Sequence, residues 1–183
     1  MRSPSESGVD LKGLVRDVPD FPKKGILFKD LTPIWQDPAA FRSMVEQMAQ
    51  PHRSASVEMI AGIESRGLII GSALAHELRT GLVPVRKEGK LPWKTVRASY
   101  SLEYGQATTE LHEDAFKPGA RVLIVDDLLA TGGTAEAAVK LVQELKGKIV
   151  GLSFLVELEF LKGRQRLEKL GVEVLSLIKY AQP

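Results

Sequence analysis

At 183 residues the chain has the length of one domain, because domains usually run to about 100–200 residues, and this excludes two independent catalytic domains. With 44% hydrophobic and 26% charged residues it sits near the globular average, neither fibrous nor disordered. A formal charge of +2, from 25 basic and 23 acidic residues, disfavours a general nucleic-acid coat, and the absence of cysteine excludes disulfides, thiolate zinc sites, iron–sulfur clusters and a cysteine nucleophile.

The first residues, Met1-Arg-Ser-Pro-Ser-Glu-Ser-Gly8, lack a signal peptide's apolar stretch. No apolar run approaches the roughly 18–20 residues that cross a bilayer. A soluble, cytoplasmic protein without a membrane or nucleic-acid partner is therefore expected. Residues 1–16 show no recognisable motif and read as a poorly ordered extension. From Asp17 to Pro33, Pro19, Pro22, Gly25 and Pro33 forbid a long helix, so this stretch is expected to wrap over the core.

Four apolar, β-branched-rich runs then follow: Val57 to Ile63, Leu82 to Val85, Arg121 to Val125 and Ile149 to Val156. Helical spacing marks Leu68 to Leu78 and Ala135 to Leu145. Strand–helix alternation with nearly continuous apolar strands predicts an α/β fold, a parallel sheet flanked by helices. Between the second and third runs, Val96, Ala98, Tyr100, Leu102 and Tyr104 alternate with mostly polar residues, which predicts an extended excursion or two-stranded flap. The histidines His52, His76 and His112 are too scattered to suggest a metal cluster and read as surface or core residues.

In such sheets ligands bind beyond the carboxyl ends of the strands. The third run leads into Asp126-Asp127-Leu128-Leu129-Ala130-Thr131-Gly132-Gly133-Thr134 and then a helix. Successive strand residues face opposite ways, so adjacent carboxylates serve one ligand only if the chain leaves the strand there. Paired glycines between threonines let backbone N–H groups converge on a phosphate at a helix start. Carboxylates beside such a cradle suit the hydroxyls of a sugar phosphate. A plain connection at Gly132-Gly133, an N-cap at Thr134, or a Walker-B-like magnesium site at Asp126-Asp127 remain alternatives, the last weakened because no G-x-x-x-x-G-K-[ST] is present. Arg86-Lys87-Glu88-Gly89-Lys90 puts three cations in five residues after a strand, and Gly62 to Gly67 again allows close approach to an anion.

The run Val122 to Thr134 resembles the phosphoribosyl-pyrophosphate signature of the type I purine/pyrimidine phosphoribosyltransferases, and its Leu-Leu-Ala-Thr-Gly-Gly form is similar to the adenine-using branch. Phe21 to Asp30, Ala61 to Gly67, Val85 to Pro92, Ser99 to Gly105 and Leu161 to Arg164 resemble the same family, in order and at family-like spacing over residues 17–180. The resemblance implies a pentosyl-transferring glycosyltransferase of purine salvage. It would carry the 5-phosphoribosyl group from phosphoribosyl pyrophosphate to adenine, giving AMP and pyrophosphate with Mg2+, as a homodimer. It also implies one domain over 17–183, with a hood from about 17–35 and 157–183, a core of about 36–156 and a mobile flap of about 94–106.

Residue roles follow from the resemblance alone. Asp126 and Asp127 would take the ribose hydroxyls, with Mg2+ held through substrate and water and not by direct protein ligands. Ala130, Thr131, Gly132, Gly133 and Thr134 would take the 5′-phosphate. Ser65, Arg66, Arg86, Lys87, Lys90 and Tyr104 would serve pyrophosphate, while Glu64 could instead accept from neighbouring N–H groups. Glu103, with Asp126, would handle the proton of the attacking base. Adenine would stack on Phe28 with Leu128 or Leu129 opposite, its edge read by the backbone of Leu27 and Lys29, where relatives can carry arginine. The family's Gly62–Gly67-type loop can hold a non-proline cis peptide. Two rivals remain: transfer to xanthine, hypoxanthine, guanine or orotate, and a non-catalytic sensor of phosphoribosyl pyrophosphate.

Overall fold

Runs of branched apolar residues become strands here because both their faces are covered. The computed structural model describes residues 9–101 and 106–183. By its internal contacts the chain divides into two units, Met1–Gln47 and Met48–Pro183.

In the first unit, β1 (Arg16–Pro19) pairs antiparallel with β2 (Leu27–Asp30), Val18 opposite Phe28. The proline-punctuated stretch that excludes a long helix thus forms a small ribbon. Its turn includes a cis Phe21–Pro22 bond, and Gly25, with φ at +88°, donates its N–H to Asp20 Oδ1 at 2.6 Å. Phe21 packs edge-on against Phe28, ring centres 5.1 Å apart. The short helix α1 (Thr32–Gln36) opens on Pro33, a residue that suits a first helical turn. The longer α2 (Pro38–Ala49) follows, its Ala40, Met44 and Val45 buried at helical spacing.

The second unit is built on β3 (Met59–Ile63), α3 (Arg66–Leu78), β4 (Gly81–Lys87), β5 (Thr95–Ser101), β6 (Gln106–His112), β7 (Arg121–Leu129), α4 (Gly133–Glu144), β8 (Lys148–Leu158), α5 (Gly163–Glu168) and β9 (Val174–Tyr180). Its seven-stranded sheet has the order β5-β6-β4-β3-β7-β8-β9. The five strands from β4 to β9 run parallel, and β6 and β5 add an antiparallel hairpin beside β4. This is the α/β, mostly parallel, helix-flanked sheet expected from the alternation of elements. The stretch 157–183, read above as part of the hood, contributes the end of β8 and all of β9 to this sheet.

Alternation along the strands distributes the two helices. Ala61, Ile63, Val122 and Ile124 face one side and bury with Ala135, Ala138, Val139 and Val142 of α4. Ile60 and Gly62 face the other, where Gly71 of α3 lies within contact distance of both. Side chains buried on both faces explain why these strands read as unbroken apolar runs.

One expectation fails. The chain does not leave its strand after Val125, since β7 continues through Asp126 and Asp127 to Leu129, paired with β8 as far as Leu129 opposite Glu157. What stops at Val125 is the other neighbour, because the last β3 pairing is Gly62 with Val125. Beyond that point β7 has β8 on one side only, and the freed side opens the sheet's carboxyl edge.

Candidate active site

The step left where β3 stops is filled by the first turn of α3. Gly67 makes that approach possible, since a Cβ there would lie 2.7 Å from Asp126 Oδ1 and 2.9 Å from the Val125 carbonyl oxygen. The β3–α3 loop carries a cis peptide between Glu64 and Ser65, as the resemblance implied. Around the step lies a cavity of about 330 Å3, bounded by Ser65 and Arg66 of that loop, Arg86 and Lys87 at the end of β4, and Asp126, Asp127 and Leu128 of β7. Thr134 of α4 and Tyr100 and Thr109 of the hairpin also line it.

Both carboxylates therefore serve one cavity although both remain in the strand. Asp126 Oδ1 accepts the N–H of Asp127 at 2.8 Å. Asp127, 5% exposed, forms an ion pair with Arg66, Nε to Oδ2 at 2.9 Å. Burial pushes the Asp126 carboxyl well above its ordinary value, and Asp127 beside it pushes the same way. Burial also raises Asp127, with the Arg66 guanidinium pulling against it. Two acids this close hold a proton between them more readily than either would alone.

The cationic side is held by Glu64. Its carboxylate accepts from Arg86 Nε at 3.1 Å and from the Lys87 N–H at 3.0 Å. Burial alone would raise its pKa, but these bonds bring the net shift below the ordinary carboxylate value, so Glu64 is a fixed anion that orients Arg86. Arg86 Nη1 also donates to the Lys90 carbonyl at 3.1 Å, closing the basic turn on itself. Lys90 thus belongs to this turn through its backbone and does not line the cavity.

A second, smaller cavity of about 80 Å3 shares Asp126, Leu128 and Thr134 with the first. Leu129 to Gly133, Ala135 and Phe154 complete it. Gly132 is the N-cap of α4 with φ at +79°, a left-handed conformation that aims successive N–H groups into the same space. This loop is backed by Gly163, where a Cβ would lie 2.2 Å from the Ala130 carbonyl oxygen. The helix that follows is anchored by Arg164, which grips the buried Glu157 with Nε and Nη2 at 2.9 and 2.5 Å, and by Arg166 paired with Glu136.

Ser65, Arg66, Arg86, Lys87, Asp126, Asp127, Leu128 and Thr134 are thereby brought together, with Leu129 to Gly133 in the adjoining cradle. Leu27, Phe28 and Lys29 lie in the first unit, where Lys29 Nζ pairs with Asp17 at 2.8 Å. Glu103 and Tyr104 fall outside the described residues. Tyr100, Val85 and Thr109 also line the cavity; in the sequence the first two read as ordinary strand positions, and Thr109 falls in a stretch with no strand signal.

An anion cradle, a pair of carboxylates and a basic turn at the carboxyl edge of one sheet have close counterparts. A phosphoribosyl transferase domain model matches residues 34–180. The chain is 54% identical over 172 residues to an adenine phosphoribosyltransferase of Acidobacterium capsulatum, covering 94% of each chain. The crystal structure of adenine phosphoribosyltransferase from Rhodothermus marinus shares 50% identity and superposes with a TM-score of 0.89, over 93% of this chain and 96% of that one. The Saccharomyces cerevisiae enzyme, solved with an imino-altritol bisphosphate and adenine, is 40% identical with a TM-score of 0.85, over 91% and 96%. On these likenesses and this geometry, the chain belongs to the phosphoribosyl transferase family, among its adenine phosphoribosyltransferases.

Proposed function

We propose that the protein transfers the 5-phosphoribosyl group of phosphoribosyl pyrophosphate to adenine, releasing pyrophosphate and forming AMP for purine salvage, as a cytoplasmic homodimer. The observation that supports this reading is that Asp126, with Asp127 beside it, lines both the cavity bearing Arg66, Arg86 and Lys87 and the one formed by the glycine-rich loop from Ala130 to Gly133. Phosphoribosyl pyrophosphate has the same layout, with phosphate at one end, pyrophosphate at the other and a polyol between.

In this reading the backbone of Ala130 to Gly133 and the hydroxyls of Thr131 and Thr134 hold the 5′-phosphate. Asp126 and Asp127 accept from the ribose hydroxyls. Breaking the anomeric bond builds positive charge on the sugar and negative charge on the departing pyrophosphate. Ser65, Arg66, Arg86 and Lys87, with Tyr104, are assigned to that growing negative charge, Lys90 serving the turn through its backbone, and Arg86 and Arg66 need no reorganisation because Glu64 and Asp127 already orient them. Asp126, raised by burial and its neighbour, is suited to sharing a proton with the purine, and Glu103 is assigned the proton of the attacking nitrogen. Leu128 or Leu129, which line the cavities beside Asp126, are assigned to one face of adenine.

The donor set fits Mg2+ held through water and substrate oxygens. Among the described residues no three His, Asp or Glu side chains converge, and Asp127 is already paired with Arg66. Asp126 and Asp127 would face the hydrated ion, which when bound supplies charge neutralisation to the pyrophosphate.

The test is turnover with phosphoribosyl pyrophosphate and Mg2+, offering adenine, hypoxanthine, guanine, xanthine and orotate separately and quantifying nucleotide and pyrophosphate. AMP with equimolar pyrophosphate, and little product from the other bases, is expected. Preference for another base overturns the adenine assignment, and binding of phosphoribosyl pyrophosphate without any turnover overturns the enzymatic one.

A further inference from the structure

The basic turn is clamped at both ends by carboxylates, one half-buried and lining the cavity, the other fully buried and away from it. Glu64 holds the near end, at Arg86 and Lys87. The far end is held by Glu110, a β6 residue 1% exposed. Its Oε1 accepts the N–H groups of both Lys90 and Leu91 at 2.9 Å. Its Oε2 accepts the Thr95 hydroxyl at 3.2 Å and faces Arg97 Nε at 3.7 Å. Arg97 in turn donates to Glu88 of the turn at 2.8 Å.

Every group around this carboxylate is a donor or a cation, and an ionised carboxylate is the side chain that presents acceptors in all those directions. Burial by itself would raise the Glu110 pKa, yet the Leu91 and Lys90 N–H groups and the Thr95 hydroxyl bring it below the ordinary value, so the group stays ionised. Its register joins three elements: Glu110 is opposite Arg86 of β4 and opposite Arg97 of β5. One side chain therefore ties the loop that bears Lys87 and Lys90 to the base of the hairpin.

We propose that Glu110 is a positioning residue for pyrophosphate, setting where the cations of the basic turn lie and coupling that turn to the flap hairpin. It touches neither cavity, so its effect on ligands is transmitted through the turn. The inference rests on the reading of Arg86 to Lys90 as the pyrophosphate-binding turn.

The test compares Glu110→Ala and Glu110→Gln with the wild type in three measurements: affinity for inorganic pyrophosphate with Mg2+, affinity for AMP, and the separate steady-state constants for phosphoribosyl pyrophosphate. Glu110→Gln keeps the volume and one acceptor, so it carries the test if the alanine variant does not fold. The expected result is pyrophosphate affinity reduced tenfold or more in Glu110→Ala and severalfold in Glu110→Gln. AMP affinity should stay within twofold, because the 5′-phosphate cradle lies on β7 and α4. KM for phosphoribosyl pyrophosphate should rise more than kcat falls.

Equal loss of pyrophosphate and AMP affinity in step with a fall in Tm would reduce Glu110 to a structural residue and overturn the proposal. So would unchanged pyrophosphate affinity in the folded variant. The double variant Arg86→Gln/Lys87→Gln separates this failure from failure of the underlying reading. If it too binds pyrophosphate normally, the turn is not the pyrophosphate site and both fall. If it loses pyrophosphate while the Glu110 variants do not, only the positioning role falls.

Discussion

Replacing Gly163 by alanine puts a methyl group where the Ala130 carbonyl oxygen leaves no room for one. The new Cβ would lie 2.2 Å from that oxygen, 2.9 Å from Leu129 Cδ1 and 3.0 Å from the Gly132 nitrogen. An ordinary carbon–oxygen contact is about 3.4 Å, so the α5 entry and the phosphate cradle must separate by roughly 1 Å. The backbone at Gly163 is not left-handed, which makes the conflict purely steric. Overpacking of this kind costs about 1–3 kcal/mol, and alanine returns roughly 0.4–1 kcal/mol by restricting the unfolded chain. The net loss of about 0.5–2 kcal/mol corresponds to a Tm lower by roughly 1–8 °C for a chain of this size.

The functional loss should be disproportionate. Moving a positioning group by about 1 Å costs on the order of 10²-fold, so kcat/KM for phosphoribosyl pyrophosphate should fall by about that factor. Titration calorimetry separates the two proposed anion sites: if the 5′-phosphate is held by the Ala130–Thr134 loop as proposed, AMP affinity should fall at least about tenfold, while inorganic pyrophosphate should bind within about twofold of the wild type. AMP bound with wild-type affinity by a variant whose Tm has fallen would show that the cradle does not depend on the Gly163 contact.

Two further outcomes concern the carboxylates. Because the folded state raises Asp126 from 3.8, its stabilising contribution is complete below that value and is lost as pH rises through the raised folded value. Asp126→Asn removes that loss and its Oδ1 still accepts the Asp127 N–H, so the variant should melt above the wild type at pH 8, show no such gain near pH 4, and form AMP at least about 100-fold more slowly; a lower Tm at pH 8 would contradict the argument. Arg164→Ala strands Glu157, which is 2% exposed, and removes a 2.6 Å bond to the Val174 carbonyl. Urea unfolding should show a loss of about 3–5 kcal/mol, and a loss below about 1 kcal/mol would mean that other groups satisfy Glu157.

Elements buried on both faces were legible, and those defined by distant partners were not. Val57 to Ile63 and Arg121 to Val125 announce themselves because β3 and β7 are covered by helices on each side. The end of β7 is hidden in the sequence because Asp126-Asp127 looks like a strand terminus. What keeps those residues in the strand is β8, whose partner positions lie about thirty residues onward in the chain. The far arm of the hairpin was missed from Gln106 to His112, since Thr108, Thr109 and Glu110 carry no apolar alternation. Thr109 and Glu110 are nevertheless buried, and the donors that satisfy Glu110 come from a turn some twenty residues earlier. The loops were legible for the opposite reason: Gly132-Gly133 and Arg86 to Lys90 depart from both strand and helix patterns and carry their chemistry in consecutive residues. Glu64 reads in the sequence as an acceptor for nearby N–H groups; the Lys87 N–H is one such donor, while its partner Arg86 emerges only in the fold.

The step in the sheet edge explains how carboxylates and anion sites coexist. If β3 ran as far as β7, its backbone would occupy the side of Asp126 that now faces the first turn of α3. Because it stops early, the starts of α3 and α4, on opposite faces of the sheet, both open beside the two aspartates. Each helix start favours negative charge, and together they flank a pair of acids whose ionisation burial already opposes. A ligand with anionic ends and a hydroxylated middle relieves both conditions at once, filling the helix starts with phosphate oxygens and giving the acids donors to accept from. A simple anion would satisfy only the ends, and a neutral sugar only the middle. On the proposed function, the short β3 strand and the glycine at position 67 that lets α3 close against Asp126 are therefore as much a part of the specificity as the side chains assigned to the ligand.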